Sequence, residues 1–244
     1  MAEEGLFVLP GDLIDPSFIP SHPKKPLRLG PGLRHIPPNS ILPTVSGQVY
    51  TDNRKNSIWV EYNGGRYVPS TNDQVIGQIQ RSAGEHYYVN IAPYASNAVL
   101  PHLAFEGVTK KTRPQLNPGA LVYARVALAH KHMDVELECV SPSTGKADGL
   151  GPLVDGMVFN VSLGLARRLS MSKKENSKVI VLDLLGDAGL VFEVVVGRNG
   201  RVWIGGGSVA DTVLVGRALT QTDEEDHGPE AQKNVVRRLL SERK

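Results

Sequence analysis

A regular alternation of apolar and polar residues between Val68 and Val140 is the feature that most restricts the fold of this chain. It runs through QVIGQIQR at 74–81 and HYYVNI at 86–91, and again through 120–128 and 133–139. Strands with one buried face have this period of two. The residues predicted to point inward are Val75, Gly77, Ile79, Tyr87, Val89, Ile91, Ala120, Val122, Ala124, Val126, Leu128, Met133, Val135, Leu137 and Cys139. Five strands, with 120–128 as the fourth after a longer connection and 133–139 as the fifth, predict a small closed barrel of the OB type, which commonly binds oligonucleotides.

The connection before the fourth strand carries a short basic run. Lys110, Lys111 and Arg113 fall within four residues, and Pro114 follows them. Such a run describes an exposed loop, and the loops of OB folds flank the ligand face. We therefore predict RNA phosphate contacts from these three cations; the alternative is a solvated charged loop.

A second basic cluster, His130-Lys131-His132, lies in the predicted turn between the last two barrel strands. We predict weaker RNA contacts from Lys131 and His132. The His-x-His spacing lacks an evident third ligand, so no metal is predicted. The glycine-rich stretch 205–208 lacks both a Gly-x-Gly-x-x-Gly pattern and a Walker lysine, so no nucleotide or other cofactor is predicted.

Composition limits how this chain meets nucleic acid. Its 27 Lys and Arg against 25 Asp and Glu give a net charge of +2, whereas dedicated nucleic-acid binders are usually clearly basic. RNA contact must therefore be local or shared with a partner. The single cysteine, Cys139, excludes an internal disulfide and is expected to be a buried core thiol. We predict no membrane segment and an intracellular protein.

The first 43 residues hold more than half of the 17 prolines. This density excludes helices and central strands, so we predict an extended, irregular arm that docks on a partner surface. A strand pair, 45–50 and 58–62, is expected to follow. The apolar anchors predicted for the arm are Leu6, Phe7, Val8, Leu9, Leu13, Ile14, Phe18 and Ile19.

Beyond Val140 the periodicity changes, and turn-forming residues at 141–152 predict a domain boundary. Ser162 and Ser208 are predicted helix N-caps, and the apolar run 179–185 fits a helix or a strand. The predicted strands are 157–161, 190–196 and 201–204. The first predicted helix is 163–169, and the last is 229–243, after an acidic break at 223–226. Between them a helix is predicted to open at Ser208, with one face formed by Ala210, Val213, Leu214 and Ala218. Gly197-Arg198-Asn199-Gly200 is predicted to be a tight turn between two strands.

No catalytic motif is present in the sequence. It has no Gly-x-Ser-x-Gly elbow, no His-Glu-x-x-His and no histidine beside an obvious nucleophile. We therefore predict a binding protein and not an enzyme. An enzyme with a dispersed site is the alternative.

The chain resembles the exosome cap subunits of the ribosomal RNA-processing protein 40 (exosome component 3) family over essentially its whole length. The most specific element is Gly-x-Asn-Gly followed by Arg-Val-Trp. The motifs that carry the resemblance are Leu9-Pro10-Gly11-Asp12, Asp73-x-Val75-Ile76-Gly77, Leu103-Ala104-Phe105-Glu106-Gly107, Leu163-Gly164-Leu165 and Gly197-Arg198-Asn199-Gly200-Arg201-Val202-Trp203.

The resemblance implies a mainly β chain with an α+β C-terminal part. It implies an N-terminal arm and β-hairpin domain over 1–67, an S1-type OB barrel over 68–142 and a KH-type α/β domain over 143–244. Ordinary KH domains hold RNA with a Gly-x-x-Gly loop between two helices, whereas here the turn lies between two strands. In the family this turn packs on the barrel. Gly197, Asn199, Gly200 and Trp203 are therefore predicted to be structural, with RNA contact as the alternative.

The resemblance also implies a function and partners. Such a subunit sits with two other cap proteins on a six-membered ring of RNase PH-like subunits, without catalytic activity of its own. It guides single-stranded RNA into the central channel, towards an associated 3′–5′ exonuclease. The expected location is the nucleus, including the nucleolus, and the cytoplasm. The alternative function is an independent S1–KH protein that binds single-stranded RNA outside a ring.

Overall fold

The computed structural model describes residues 6–23, 25–38, 40–53, 55–62, 65–171, 179–225 and 228–242. The chain divides into two compact units, residues 1–64 and residues 65–244. The first unit is a small β domain. The second contains a barrel and a C-terminal α/β part.

The first unit is a four-stranded sheet with a separate hairpin. Its strands are β1 (Phe7–Val8), β2 (Arg28–Leu29), β3 (Leu33–Ile36), β4 (Ser40–Pro43), β5 (Gly47–Asp52) and β6 (Ser57–Glu61), with a 3-10 turn at Pro16–Phe18. The sheet order is β1-β5-β6-β2, and β3 pairs with β4. β5 and β6 are antiparallel, which confirms the predicted strand pair.

The prediction of an irregular arm is wrong, because four short strands form within residues 1–43. β1 and β2 lie at the two edges of the sheet, where a nearby proline removes no ladder hydrogen bond. Val8 and Ile14 are buried in the unit's own core, so they are not anchors for a partner. The other predicted anchors differ: Ile19 is half-buried, and the exposed ones are Leu6, Phe7, Leu9, Leu13 and Phe18.

Residues 74–153 form the predicted closed barrel. Its strands are β7 (Gln74–Ala83), β8 (His86–Asn90), β9 (Ala98–Pro101), β10 (Leu121–Leu128), β11 (Glu136–Glu138) and β12 (Gly151–Leu153). The sheet order is β11-β9-β8-β7-β10-β12, and an antiparallel β10–β11 pairing closes it. The predicted alternation is confirmed along β7, β8 and β10, where every second side chain is buried in one core.

The barrel differs from the prediction at its ends. Leu128 and Met133 were predicted to point inward, yet 37% and 58% of their surfaces are exposed, because 129–135 is a turn and the fifth strand begins only at Glu136. The connection 92–117 contains β9. β12 pairs with β10, so the barrel sheet continues past the expected boundary at residue 142.

The C-terminal part packs helices on a three-stranded antiparallel sheet. Its elements are β13 (Gly156–Asn160), α1 (Leu163–Leu169), α2 (Val181–Asp187), β14 (Glu193–Gly197), β15 (Arg201–Gly205), α3 (Val209–Glu224) and α4 (Pro229–Glu242), with sheet order β13-β15-β14. Both predicted caps are confirmed, since Ser162 Oγ accepts from Leu165 N and Ser208 Oγ accepts from Asp211 N. The ambiguous run 179–185 is helical from Val181 onward, and Arg243 lies outside the described residues.

α3 departs from the prediction in its buried face. Ala210 and Val213 are exposed, whereas Leu214, Val215, Ala218 and Leu219 lie in the core. The helix ends at Glu224, within the predicted acidic break 223–226, and Asp226 lies outside the described residues. Asp223 lies within α3 and accepts hydrogen bonds from both the backbone N and the hydroxyl of Ser162. This carboxylate therefore ties α3 to the start of α1.

The buried thiol of Cys139 gives a first test of the barrel core. Only 1% of the residue is exposed, and burial raises the pKa of the thiol to about 12. Thiolate is the reactive form. We expect DTNB at pH 8 to label the native chain at least ~100-fold more slowly than the guanidine-denatured chain. The same shift should lower stability above about pH 8.5, because only the unfolded chain then loses the thiol proton. Rapid labelling without unfolding would contradict the buried position.

Candidate nucleic-acid interface

The basic run of the long barrel connection forms a tight turn. Thr112 N donates to the carbonyl of Thr109 over 3.1 Å, and Thr109 N donates to Thr112 Oγ1 over 2.9 Å. Lys110 and Lys111 occupy the two positions at the tip, and both are exposed. Lys110 Nζ lies 3.8 Å from Glu85 Oε1, but both side chains are at least 80% exposed, so water screens this pair.

Arg113, the third predicted cation, is attached to the barrel through a buried histidine. Arg113 Nη1 donates to His102 Nδ1 over 2.6 Å, and His102 Nε2 lies 3.1 Å from Ser82 Oγ. A guanidinium only donates, so Nδ1 must be the acceptor and Nε2 carries the hydrogen in the neutral ring. Burial lowers the pKa of His102, and the charges of Arg113 and His86 lower it further.

Tyr87 holds the next residues of the same loop. Its hydroxyl donates to the carbonyl of Pro114 over 2.6 Å and accepts from Leu116 N over 3.4 Å. The ring centroids of Tyr87 and His102 are 4.2 Å apart. The backbone that follows the basic turn is therefore fixed to strand β8, while the two lysines stay in solvent.

The second predicted cluster lies at the other end of the barrel. Residues 102–120 leave β9 beside the β7–β8 turn, as the bond from His102 N to the carbonyl of Glu85 shows. The turn 129–135 follows the opposite end of β10, beyond the pairing of Arg125 with Gln74. Lys131 and His132 are exposed there. The structure therefore does not bring Lys131 and His132 together with Lys110, Lys111 and Arg113.

One aromatic contact on the outer side of the barrel was not predicted from the sequence. The guanidinium carbon of Arg81 lies 4.0 Å from the centroid of the Tyr88 ring, and the two residues are paired across β7 and β8. Tyr88 takes the outward position of HYYVNI, between the buried Tyr87 and Val89. That alternation signalled an outward aromatic side chain. Arg81 could not be matched to it because a register shift lies between Ile79 and Arg81.

The Gly-x-Asn-Gly turn lies against the barrel. Asn199 is 6% exposed, and its Nδ2 donates to the carbonyls of Ile76 and Ile91 over 2.8 and 2.7 Å. Its Oδ1 accepts from Ile76 N over 3.2 Å. The β7–β8 ladder begins only at Gln78 and Asn90. The Asn199 amide therefore supplies the donor and the acceptor where the two strands diverge.

Neighbouring residues extend this junction. Arg201 Nη1 donates to the carbonyl of Asn90 over 2.8 Å, its Nη2 donates to Asn90 Oδ1 over 2.7 Å, and burial lowers the pKa of the guanidinium. A Cβ on Gly197 would lie 2.8 Å from Ile76 N. Gly200 has φ +74°, and a Cβ there would lie 2.6 Å from the carbonyl of Val161. Both glycines are therefore required by close packing.

Trp203 lies on the same side of the C-terminal sheet as Arg201. It is 5% exposed, and a Cβ on Gly156 or Gly205 would lie within 2.5 Å of its indole ring. The sheet thus has two glycines where the indole packs. Ile76 on the outer side of β7 is fully buried, since β14 and β15 approach β7 here.

Among the described residues, no group of three or more His, Cys, Asp or Glu side chains is arranged to hold a metal ion. Within the same ranges, no helix has the length and apolarity needed to span a membrane.

Three sequence families match consecutive parts of the chain. The N-terminal domain of exosome complex exonuclease Rrp40 matches residues 27–66. The S1 domain of exosome complex component RRP40 matches residues 67–151, and a KH domain matches residues 156–210.

Individual proteins show the same likeness. Exosome complex component rrp40 of Schizosaccharomyces pombe is 41% identical over 223 residues, which cover 89% of each chain. RRP40 of Saccharomyces cerevisiae is 34% identical over 97% of this chain and 96% of its own length. RRP40 of Homo sapiens is 33% identical over 77% of this chain and 62% of its own length. A crystal structure of a protein assigned as an exosome complex RNA-binding protein has a similar fold. The superposition of the two structures has a TM-score of 0.57 at 24% sequence identity, and it covers 73% of this chain and 98% of the crystallised chain.

Proposed function

The chain belongs to the Rrp40 family of exosome complex components, and on that premise we propose that it is a non-catalytic cap subunit of an RNA exosome. In this role it stabilises a ring of RNase PH-like subunits together with other cap subunits. It guides single-stranded RNA into the central channel, towards an associated 3′–5′ exonuclease. We also propose that it acts in the nucleus, including the nucleolus, and in the cytoplasm.

The anchored basic turn at 109–114 is the observation that carries this proposal. Lys110 and Lys111 lie exposed at its tip, while Arg113 and Pro114 are tied to the barrel wall. A cation whose backbone is already fixed loses less conformational freedom when it meets a phosphate. On a chain of net charge +2, such a turn suits RNA contact that is shared with neighbouring subunits.

Exposed apolar side chains of the first unit support the proposed protein partners. Five large apolar side chains of residues 6–18 remain exposed although this unit has its own core. Exposed apolar side chains that cluster along a short segment are typical of protein contact surfaces. We propose that they meet the ring or another cap subunit. Recovery of the tagged chain from its own cells as a free monomer, by native mass spectrometry, would contradict this part of the proposal.

Charge reversal in the basic turn tests the RNA-guiding role. We expect the triple variant Lys110→Glu, Lys111→Glu, Arg113→Glu to bind single-stranded RNA at least about tenfold more weakly in the assembled complex at 0.1 M salt. Loss of three phosphate contacts should also flatten the slope of log affinity against log salt by about 2. Fluorescence anisotropy across a salt series measures both quantities.

A matched control separates local contact from net charge. Lys233→Glu, Arg237→Glu and Arg238→Glu on α4 change the charge by the same amount on exposed residues of another element. This control should leave RNA affinity nearly unchanged, and native mass spectrometry should show both variants in the complex. Equal loss in the two triple variants would reject the basic turn as the RNA contact.

A further inference from the structure

We propose that His102 is a positioning residue for the RNA-contacting turn, and that it holds Arg113 in place only while its imidazole is neutral. The inference rests on the proposed function, since a buried residue of the barrel would control the RNA contact proposed above. It predicts that this contact weakens when His102 takes up a proton.

The geometry around His102 leaves one role for each ring nitrogen. Nδ1 accepts from Arg113 over 2.6 Å, and Nε2 lies 3.1 Å from the hydroxyl of Ser82. The ring is 4% exposed and packs beside Tyr87, so it has little room to turn. A neutral imidazole with its hydrogen on Nε2 satisfies both contacts, whereas the protonated ring has no acceptor for Arg113.

The charges that face His102 oppose its protonation on balance. Arg113 and His86 disfavour the imidazolium, and Glu85 favours it, although Lys110 lies beside that carboxylate. A hydrogen bond with the backbone of His86 also favours the imidazolium, and Ser82 and Tyr87 complete the surroundings as neutral groups. The pKa of His102 is lowered by burial and by these charges, in agreement with the neutral ring that the contacts require. A proton on Nδ1 would place the imidazolium within hydrogen-bond distance of the Arg113 guanidinium. Because both groups are then cations and both only donate, the Arg113 side chain must move away from His102.

Release of Arg113 from His102 frees one of the three cations of the turn. Arg113 connects the exposed lysines to the attached segment that begins at Pro114. Without the His102 contact, Tyr87 still holds Pro114, but the Arg113 side chain loses its fixed direction. RNA must then order that side chain on binding, which lowers affinity.

The first experiment tests the His102–Arg113 coupling without RNA. In the full-length chain, the His102 ring resonances followed by NMR between pH 4.5 and 8 should titrate below the ordinary value of about 6.5. Arg113→Gln removes the neighbouring positive charge, so the midpoint should rise. The matched variant Lys111→Gln removes an equal charge from the tip and should leave the midpoint in place. A midpoint unmoved by Arg113→Gln would overturn the proposal.

The second experiment tests the consequence for RNA. In the assembled complex, His102→Gln replaces the ring with a side chain that can accept from Arg113 and donate to Ser82 but does not titrate. The two complexes should bind RNA with equal affinity at pH 7.5. At pH 5.5 we expect the wild-type complex to bind about three- to tenfold more weakly than the His102→Gln complex. Parallel profiles would overturn the positioning role. The proposed function would still stand if the triple charge reversal weakens RNA binding, so the two failures are distinguishable.

Discussion

Replacement of Asn199 by alanine should lower the free energy of unfolding of the 65–244 unit by about 2–4 kcal/mol. The side chain makes three hydrogen bonds to the backbone of Ile76 and Ile91 at a position that is 6% exposed. Alanine offers neither the donor nor the acceptor of the amide. Without the amide, Ile76 N and the Ile91 carbonyl lose these partners, and a buried polar group without a partner costs more than its hydrogen bond contributed.

Urea denaturation measures this loss. The chain has two tryptophans, Trp59 in the first unit and Trp203 beside the junction, so a Trp59→Phe background makes Trp203 the single reporter of the second unit. Arg198→Ala is the matched control in the same turn. The Arg198 side chain is 59% exposed and lies 3.5 Å from Asp73, so its removal should cost below about 1 kcal/mol. Equal stability of Asn199→Ala and the control would refute the bridging role of the amide.

The second large effect is expected at Trp203. Trp203→Ala should destabilise the same unit by about 3–5 kcal/mol, because it removes a buried indole and leaves a cavity above Gly156 and Gly205. Circular dichroism during urea denaturation follows this variant, since its fluorescent reporter is lost.

Trp203→Phe is the control for aromatic packing. It keeps a ring over the two glycines and removes the indole Nε1, which has no hydrogen-bond partner among the described residues. It should therefore cost clearly less than the alanine variant. If both variants lost the same stability, the position would depend on the full indole and the packing explanation would fail.

The barrel was predictable because its burial alternates along single strands. Val75 and Ile79 on β7, and Val122 and Ala124 on β10, are buried as the pattern requires. Ile76 breaks the alternation, and its full burial comes from the C-terminal sheet that packs outside β7. The short strands β9 and β12 were missed because three or four residues carry too little periodicity to detect.

The prediction from the prolines of residues 1–43 is wrong for a related reason. Proline excludes the interior of a ladder, but it does not exclude strands of two to four residues at the edge of a sheet or in a separate hairpin. β1, β2 and the β3–β4 hairpin are of this kind. Which of Leu6, Phe7 and Val8 enters the core depends on pairing with β5, and that pairing joins residues far apart in sequence.

The candidate site was predictable only as a list of exposed cations. Lys110, Lys111 and Arg113 stay a prediction for RNA contact, on a turn whose anchors the sequence did not indicate. His102 and Arg113 are eleven residues apart, and Tyr87 is still further from Pro114. Contacts across that separation depend on barrel closure, so composition and spacing could not identify them. For the same reason, Lys131 and His132 could not be assigned to the opposite end beforehand.

The junction made by Asn199 and Arg201 has a consequence for how substitutions in the barrel act. Its acceptors are mainly main-chain carbonyls, those of Ile76, Asn90 and Ile91, and its one donor from the barrel is Ile76 N. These groups are the same for every amino acid except proline. Exchange of Ile76 or Ile91 for another aliphatic residue therefore leaves the partners of the Asn199 amide in place. At this junction the barrel residues should tolerate substitution, whereas Asn199 and Arg201 should not. The C-terminal turn carries the specificity, and the barrel supplies a surface that many sequences could present.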